Sequence, residues 1–501
     1  MSTEIELKLA LPKTALTALR RHPLIAGAEK LGNAQTLLNT YYDTPTLTLR
    51  EDKVAVRTRK QGRAWLQTVK CAAPSSGGLS ARPEWEQPFI GGFDFDTIED
   101  APLARRLNAL RDQLTPVFTT RFRRQTYRLR PTPEVEILLM VDTGTIDANE
   151  RSAPICEIEL ELVSGEAQDL FAVACQLADN IPLLPADRSK AERGYRLFAN
   201  APETPTRAGK SPLHPQQSPL DAFRALAGDC LHQWQANALA MGDHDDPEYI
   251  HQLRIALRRL RSLIKLFAPA LPPTFVDEWS ATLRTAATEL GGTRDVDVFL
   301  HDILAPVEPG PLMPADFLDG LRAHAQSQVD AHRGAAGDLT ADPRQGQRML
   351  ALAAQLNALD GNALDAAADL STFARLQLGA LRKRARKRFA AARALAPEDL
   401  HELRVSLKQL RYGAEFFLPL FDARTLKQHI RMLREGQDLL GYLNDVEIAR
   451  NHVLNWSEAQ PALSAPAHFL IGWHAPRCAR VRRRILLEIE PLLWGKTPWK
   501  A

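Results

Sequence analysis

Cysteine is scarce in this sequence, and the few thiols are scattered. Their number is odd and none forms a C-x-x-C pair: Cys71, Cys156, Cys175, Cys230 and Cys478. Such a set does not build a disulfide framework, and it lacks the closely spaced ligand pairs of a structural zinc site. The sequence therefore predicts reduced thiols and a cytoplasmic protein.

Long apolar runs are also lacking, and no secretory leader is expected. No stretch approaches the roughly 20 apolar residues that a membrane-spanning helix needs. The chain begins Met1-Ser-Thr-Glu4 and is charged from its fourth residue, unlike a secretory signal peptide. These absences predict a protein that does not engage a membrane.

There is little net charge, because 63 basic residues oppose 60 acidic ones and leave a formal charge of +3. At 501 residues the chain is too long for one core and predicts several domains. A segment rich in Pro, Ser, Thr and Gly separates a strand-patterned region from a helical one. We therefore expect an α+β multidomain protein with a first domain over 1–200, a linker over 201–218 and an all-α domain over 219–497.

Charged side chains alternate with apolar ones along several strands of the first domain. In the first strand, period 2 puts Glu4, Glu6 and Lys8 on one face. Other like-charged sets share a face in the same way: Arg57 and Arg59, Glu84 and Glu86, Arg121 and Arg123, and Glu157, Glu159 and Glu161. A half-buried sheet with one solvated face explains any single strand. For the whole set, closure into a barrel with a polar interior explains the pattern better.

A polar interior with both charge signs suits one class of ligand. Carboxylates supply the hard oxygen ligands that Mg²⁺ or Mn²⁺ prefers, and the metal can bridge phosphate oxygens. Arginine and lysine neutralise the remaining phosphate charge. The two sets together predict a complex of a divalent metal with a polyphosphate.

The charged motifs follow one another in a fixed order. They are Glu4-x-Glu6-x-Lys8, Tyr41-Tyr42-Asp43-Thr44, Arg57-x-Arg59, Gln67-Thr-Val-Lys70, Arg82-x-Glu84-x-Glu86, Arg121-x-Arg123, Asp142-x-Gly144, Glu157-Ile-Glu159-Leu-Glu161 and Ser189-Lys190-x-x-Arg193-Gly194-Tyr195. This series resembles the CYTH domains, the triphosphate tunnel metalloenzymes. The resemblance covers the first two hundred residues.

The resemblance implies an eight-stranded antiparallel β-barrel tunnel with covering helices, in which Glu4, Glu6 and Lys8 serve catalysis. The implied metal-facing acids are Glu4, Glu6, Asp142, Glu157 and Glu159. The implied phosphate-binding bases are Lys8, Arg57, Arg59, Lys70, Arg121, Arg123 and Lys190. Glu161 either joins these acids or faces a basic side chain, whereas Glu84 and Glu86 are expected to orient the bases.

An internal repeat marks the helical half. His251-Gln-Leu-Arg-Ile-Ala-Leu-Arg-Arg-Leu-Arg261 aligns with His401-Glu-Leu-Arg-Val-Ser-Leu-Lys-Gln-Leu-Arg411, and Leu290–Asp297 aligns with Leu440–Glu447 at the same offset. This predicts two duplicated helical bundles, over about 219–335 and 348–497. Each copy has an apolar stripe beside a cationic one: His251, Arg254, Arg258 and Arg261, then His401, Arg404, Lys408 and Arg411.

A cationic stripe on a single helix is usually a solvated face, but two nearly acid-free copies favour a linear polyanion as ligand. The stripes resemble those of CHAD domains, which are associated with inorganic polyphosphate and its granules. Two further basic clusters, Arg382–Arg388 and Arg477–Arg484, leave nucleic acid as a less favoured ligand, because aromatic residues are not interleaved. Neither His251 nor His401 has a partner at metal-ligand spacing.

Three functions are compatible with these patterns. The first is a divalent-metal-dependent inorganic triphosphatase that attacks a terminal phosphorus in line with water, with a helical domain that binds polyphosphate. The second is a non-catalytic polyphosphate-granule protein. The third is a nucleotide-acting CYTH enzyme, either an adenylyl cyclase or a nucleoside or thiamine triphosphatase. The complete set of acids, bases and lysines favours the enzyme over the binding protein, and the adjoining domain with its cationic stripes favours tripolyphosphate over a nucleotide.

Overall fold

The computed structural model describes residues 2–73, 75–242, 244, 246–290, 296, 298–308, 310, 313–340, 342–359 and 369–499. Eight long strands form the N-terminal part: β1 Ser2–Ala10, β2 Gln35–Asp43, β3 Val54–Gln61, β4 Ala64–Cys71, β5 Leu79–Pro88, β6 Thr115–Leu129, β7 Glu136–Ala148 and β8 Arg151–Ser164. Short strands at Glu29–Lys30, Ser75–Ser76 and Leu184–Pro185 extend the sheet.

The eight strands form a closed ring in which each pairs antiparallel with both neighbours. The order is β1-β8-β7-β6-β2-β3-β4-β5, and β5 pairs back onto β1. β1 can close the ring because its two backbone edges face different strands, with Lys8 opposite Glu159 of β8 and Glu4 opposite Arg82 of β5. The predicted eight-stranded antiparallel barrel is confirmed.

Six helices accompany the barrel in the sequence: α1 Leu16–Arg21, α2 Pro23–Ala26, α3 Thr48–Glu51, α4 Ala101–Leu110, α5 Ala167–Ala178 and α6 Lys190–Phe198. The later helices are α7 Pro219–Met241, α8 Pro247–Phe267, α9 Pro273–Glu289, α10 Asp319–Thr340, α11 Pro343–Ala358, α12 Leu370–Ala391, α13 Pro397–Phe416, α14 Ala423–Ala459 and α15 Ser464–Trp494, with a π-helical turn at Phe299–Leu304. Over the described ranges, none of these helices is apolar over a length that would cross a bilayer.

Contacts divide the chain into two compact units. One contains 1–206 together with 231–249 and 339–359, and the other contains 207–230, 250–338 and 360–501. The barrel unit thus includes part of α7 and all of α11 besides the strand-rich region. α11 packs on α5, and a Cβ on Gly346 of α11 would overlap the backbone carbonyl of Leu183.

The predicted apolar stripes of the repeat form the core of the helical unit. Leu253, Leu257, Leu260, Ile264 and Phe267 of α8 are buried, as are Leu400, Leu403, Leu407 and Leu410 of α13. Of the second aligned segment, residues 291–295 and 297 lie outside the described residues. The helical character of this half is confirmed.

Asp43 connects the end of β2 to two helices. Its fully buried carboxylate accepts hydrogen bonds from the backbone N–H groups of Thr44, Leu49 and Arg50 at 2.7–2.9 Å, and so caps α3. It also accepts a 2.9 Å bond from the Tyr195 hydroxyl of α6. Burial beside this carboxylate raises the pKa of Tyr195.

We expect Asp43→Ala to lower the free energy of unfolding by about 3 kcal/mol or more, because several buried donors lose a charged acceptor. Tyr195→Phe should cost about 1 kcal/mol, since one hydrogen bond is lost. Urea denaturation followed by circular dichroism measures both. Asp112, whose side chain is 94% exposed, provides the control, since Asp112→Ala should have almost no effect. Equal stability of Asp43→Ala and the control would contradict this role.

Candidate active site

A cavity of about 990 Å³ lies inside the barrel and is lined by charged residues of both signs. It gathers most of the site residues predicted for the barrel: Glu4, Glu6, Lys8, Arg57, Arg59, Lys70, Glu159 and Lys190. On β1 the polar face points into the cavity, whereas Leu7 and Leu9 are fully buried on the other side. Bases outnumber acids along the lining, so the cavity suits an anion.

One group of ion pairs joins β1, β3, β4 and β5. The Lys70 ammonium lies 2.7 Å from a carboxylate oxygen of Glu4 and 2.7 Å from one of Glu84. Arg57 approaches Glu84 at 3.7 Å and donates to the Tyr41 hydroxyl at 3.3 Å. Arg82 is paired with Glu6. Glu84 therefore holds two of the predicted phosphate-binding bases, as expected.

A second group lies where β7, β8 and α6 meet. The Lys190 ammonium contacts Asp142, Glu157 and Glu159 at 2.8, 2.5 and 3.0 Å. Lys8 lies 3.3 Å from Glu159. Burial alone would raise the pKa of Glu159, but Lys190, Lys8 and Arg124 lower it well below its ordinary value. Glu159 is therefore ionised and ties these cations together.

Two of the predicted phosphate-binding residues require correction. Arg121 and Arg123 of β6 are exposed and do not belong to the cavity lining, whereas Arg124 and Phe122 do. The reason is an aromatic cluster of Tyr41, Phe118, Phe122 and Tyr195, which makes the apolar face of β6 its inner face at this end.

Arg124 occupies the position expected of Arg121 and Arg123. Its guanidinium donates to both carboxylate oxygens of Asp142 at 2.8 and 2.6 Å and to Glu159 at 2.5 Å. The sequence could have indicated Arg124, because alternation along the strand puts it on the same face as Phe118, Thr120 and Phe122. These three residues are all buried. Arg82 also lines the cavity, and it belongs to the motif Arg82-x-Glu84-x-Glu86, although the motif alone predicts no role for it.

Gly194 of α6 and Gly144 of β7, both part of the sequence motifs, allow their elements to lie close to β6. A Cβ on Gly194 would overlap the Phe118 ring, and a Cβ on Gly144 would overlap the backbone of β6 at Arg121 and Phe122. Gly194 therefore lets α6 lie against β6. This contact places Lys190, the first residue of α6, within the barrel.

Side chains of like charge lie close together in the cavity, both among its bases and among its acids. Burial and the charges of Arg57 and Arg124 lower the pKa of Arg59 to about 10. Burial and the carboxylate of Glu4 raise the pKa of Glu161 to about 7. A bound anion would relieve the repulsion among the arginines, and a bound cation would relieve the repulsion between the carboxylates.

The acids fit a divalent metal by their chemistry. Glu4, Glu6, Glu159 and Glu161 line the cavity and provide the oxygen ligands that Mg²⁺ or Mn²⁺ takes. Asp142, Glu157 and Glu159 also place one oxygen each within 4.8 Å of one another, a spacing compatible with a metal ion. In this structure the Lys190 ammonium lies among those three carboxylates.

The first cationic stripe of the helical unit is half-buried along α8. Arg261 lies beside other cations, because burial and the charges of Arg284 and Arg258 lower its pKa. The pKa of Lys265 falls for the same reason, through burial and the charges of Arg261, Arg284 and Arg384. We call Arg258, Arg261, Lys265, Arg284 and Arg384 the cation cluster. His251 and Arg254 precede it on α8.

Several members of the second stripe bind neighbouring side chains. His401 hydrogen-bonds Asn444 at 2.8 Å, and Arg404 lies 3.9 Å from Asp445. Arg411 donates to Gln437 at 2.9 Å and to Glu415 at 2.6 Å. Lys408 is half-buried on the same helix. The second stripe thus has polar partners within its own unit.

Part of the basic run Arg382–Arg388 of α12 has a structural role. Arg382 donates to the carbonyl oxygens of Leu493 and Gly495 at 2.7 and 2.5 Å, and Arg386 donates to Leu493 at 2.8 Å. These carbonyls lie at the C-terminal end of α15, where cations are favourable. Two of the arginines in this run therefore cap a helix.

The sequence comparisons match both halves of the chain. Residues 2–195 match the CYTH domain family, and residues 225–454 match the CHAD domain family. An inorganic triphosphatase of Haemophilus influenzae is 34% identical over 205 residues, which cover 39% of this chain. The match spans 55% of that relative's length.

A solved structure resembles the helical half. It is the crystal structure of the CHAD domain from the plant Ricinus communis, with a TM-score of 0.51 and 31% sequence identity. The superposition covers 59% of this chain and 99% of that domain. The fold of the helical half is therefore that of a known helical domain.

Proposed function

Because the chain carries a CYTH domain followed by a CHAD domain, we propose that it is a divalent-metal-dependent inorganic triphosphatase that also binds polyphosphate. The observation that carries this proposal is the barrel cavity, where Glu4, Glu6 and Glu159 face the same space as Arg57, Arg59 and Lys190. The products would be diphosphate and phosphate. The similarity to an inorganic triphosphatase supports the same substrate class.

The bases would hold the phosphate chain. Arg57, Arg59 and Arg124 offer bidentate contacts to phosphate oxygens, and Lys70 and Lys190 add point charges. In the free protein each of these cations lies within 3.7 Å of an acid, and the partner of Arg59 is Glu86 at 3.6 Å. When a triphosphate binds, its oxygens would replace the carboxylates as the partners of these cations.

The acids Glu4, Glu6 and Glu159, with Glu161, would hold the divalent ion, and Asp142 and Glu157 would support this group through Lys190. When bound, the ion supplies Lewis acidity toward a phosphate oxygen and a more acidic water. Lys8 is buried between Glu6 and Glu159, and these carboxylates raise its pKa. It therefore stays protonated and would orient the substrate or stabilise the charge that develops on it.

In the helical half, the cation cluster supports polyphosphate binding. Burial and mutual repulsion lower the pKa of Arg261 and Lys265, and a linear polyanion would relieve the repulsion. His251, Arg254 and Arg258 continue the same helix face toward its start. His401, Arg404, Lys408 and Arg411 would contribute a second line of contacts.

A phosphate-release panel tests this proposal. Full-length protein is incubated with tripolyphosphate, ATP, thiamine triphosphate or long polyphosphate, each with Mg²⁺, Mn²⁺ or EDTA. We expect rapid release from tripolyphosphate with either metal and none with EDTA. Faster turnover of ATP or thiamine triphosphate would favour a nucleotide-acting enzyme. No release from any substrate, together with tight polyphosphate binding, would favour a non-catalytic polyphosphate protein.

A further inference from the structure

Asp187 lies between the short strand Leu184–Pro185 and α6, and its carboxylate receives hydrogen bonds from two directions. From the barrel, the Ser75 hydroxyl donates at 2.8 Å and the Gly78 backbone N–H at 2.9 Å. From α7, the imidazole Nδ1 of His232 approaches at 2.9 Å and the Gln235 amide donates to the same oxygen. The Asp187 side chain is only 9% exposed.

The barrel side of this contact leads directly to Lys8. The backbone N–H of Lys8 donates to the carbonyl of Gly78 at 2.9 Å, and the N–H of Ala186 donates to the carbonyl of Lys8 at 2.9 Å. Gly78 has a φ of +85°, and a Cβ there would lie 2.5 Å from the Lys8 carbonyl oxygen. The backbone of Lys8 is therefore held between Gly78, which binds Asp187, and Ala186, which precedes it.

The chain that follows Asp187 leads to the second buried lysine. Ser189 caps α6 by accepting a hydrogen bond from Glu192, and Lys190 is the first residue of that helix. Lys190 then reaches Asp142, Glu157 and Glu159. Only two residues separate Asp187 from Lys190, so a shift of Asp187 is expected to displace the base that lies among these carboxylates.

The residues of α7 that contact Asp187 belong to the barrel unit, although α7 lies in the helical half of the sequence. His232 and Gln235 are three residues apart, so they project from one face of α7. Both lie in the segment 231–249, which packs with the barrel. Gln235 is buried, whereas the His232 side chain is 46% exposed. His232 can therefore be changed without opening a buried space.

We infer that Asp187 is a positioning residue, held by His232 and Gln235 of α7, that sets the places of Lys8 and Lys190 in the cavity. A carboxylate is needed because it accepts hydrogen bonds from all four donors, whereas the amide of asparagine would turn a donor toward two of them. The effect on turnover rests on the proposed triphosphatase function. The effect on the local structure does not.

Kinetics of the full-length protein on tripolyphosphate form the first arm of the test. Asp187→Asn and His232→Ala should lower kcat roughly tenfold, because Lys8 and Lys190 would be held less firmly in the cavity, and should change KM less. His232→Asn should keep most of the activity, because the asparagine amide can replace the Nδ1–H donor. The matched control is His301→Ala, since His301 is an exposed histidine of the other unit.

Hydrogen–deuterium exchange of the full-length protein is the second arm and needs no activity. His232→Ala should raise exchange in residues 3–9 and 186–198, whereas His232→Asn and His301→Ala should match the unchanged protein. Unaltered exchange and kcat in His232→Ala, or an increase spread evenly over the barrel, would overturn the inference. Absence of tripolyphosphate hydrolysis in the unchanged protein would refute the proposed function, and the exchange result would still decide the role of Asp187.

Discussion

Glu6→Gln is expected to reduce tripolyphosphate hydrolysis by about a thousandfold, because the carboxylate that we propose as a ligand of the divalent ion loses its charge. The Glu6 side chain is 5% exposed, lines the cavity and is paired with Arg82, and glutamine preserves its shape. The loss should therefore appear in kcat with little change in secondary structure. Phosphate release at saturating Mg²⁺, together with circular dichroism, measures both quantities. Glu4→Gln should act in the same direction.

The matched control for Glu6→Gln is Glu136→Gln on β7. Glu136 pairs with Arg130 and Arg128 and does not belong to the cavity lining. Its replacement removes the same charge from the same barrel, so activity should stay within about twofold of the unchanged protein. Near-normal turnover of Glu6→Gln, or an equal loss in Glu136→Gln, would remove Glu6 from the catalytic group.

Reversing two charges of the cation cluster should weaken polyphosphate binding strongly. In Arg261→Glu with Arg284→Glu, a cationic surface gains two carboxylates, and affinity at low salt should fall roughly 100-fold. The dependence of affinity on salt should become shallower as well, because fewer counterions are released. Fluorescence anisotropy with labelled long-chain polyphosphate at several salt concentrations measures both.

The control carries the same change in net charge at two exposed cations outside the cluster, Arg393→Glu with Lys427→Glu. It should bind polyphosphate with an affinity within a few-fold of the unchanged protein. Equal losses in both double variants would mean that net charge alone attracts the polyanion. Hydrolysis of tripolyphosphate, measured in parallel, should be unaffected in the cluster variant, since the cavity retains its residues.

The barrel interior could be predicted wherever a strand alternates cleanly between charged and apolar residues. β1 and β8 do so, and Glu4, Glu6, Lys8 and Glu159 face the cavity as expected. β6 does not, because Arg123 and Arg124 are adjacent and the parity of charge alone is ambiguous. The aromatic cluster around Phe122 decides the outcome, and that cluster forms only when β2, β6 and α6 meet.

Other features depend on contacts between distant parts of the chain. The ion pair of Arg411 with Glu415 follows from their spacing of four residues, so it could have been predicted. The capping of α15 by Arg382 joins residues more than a hundred positions apart. The contact of His232 with Asp187 likewise crosses the segment that separates strand-patterned from helical sequence. No local periodicity indicates such pairs.

The barrel unit contains segments that are far apart in the sequence, so it cannot be completed until long after its strands have been synthesised. All eight strands have been synthesised once residue 164 is added, but the unit also includes 231–249 and 339–359. At about 5–20 residues per second, the last of these segments follows β8 by on the order of 10 to 40 s. During that interval a nascent barrel would expose the surfaces that α7 and α11 later cover, so chaperone dependence is expected to concentrate there.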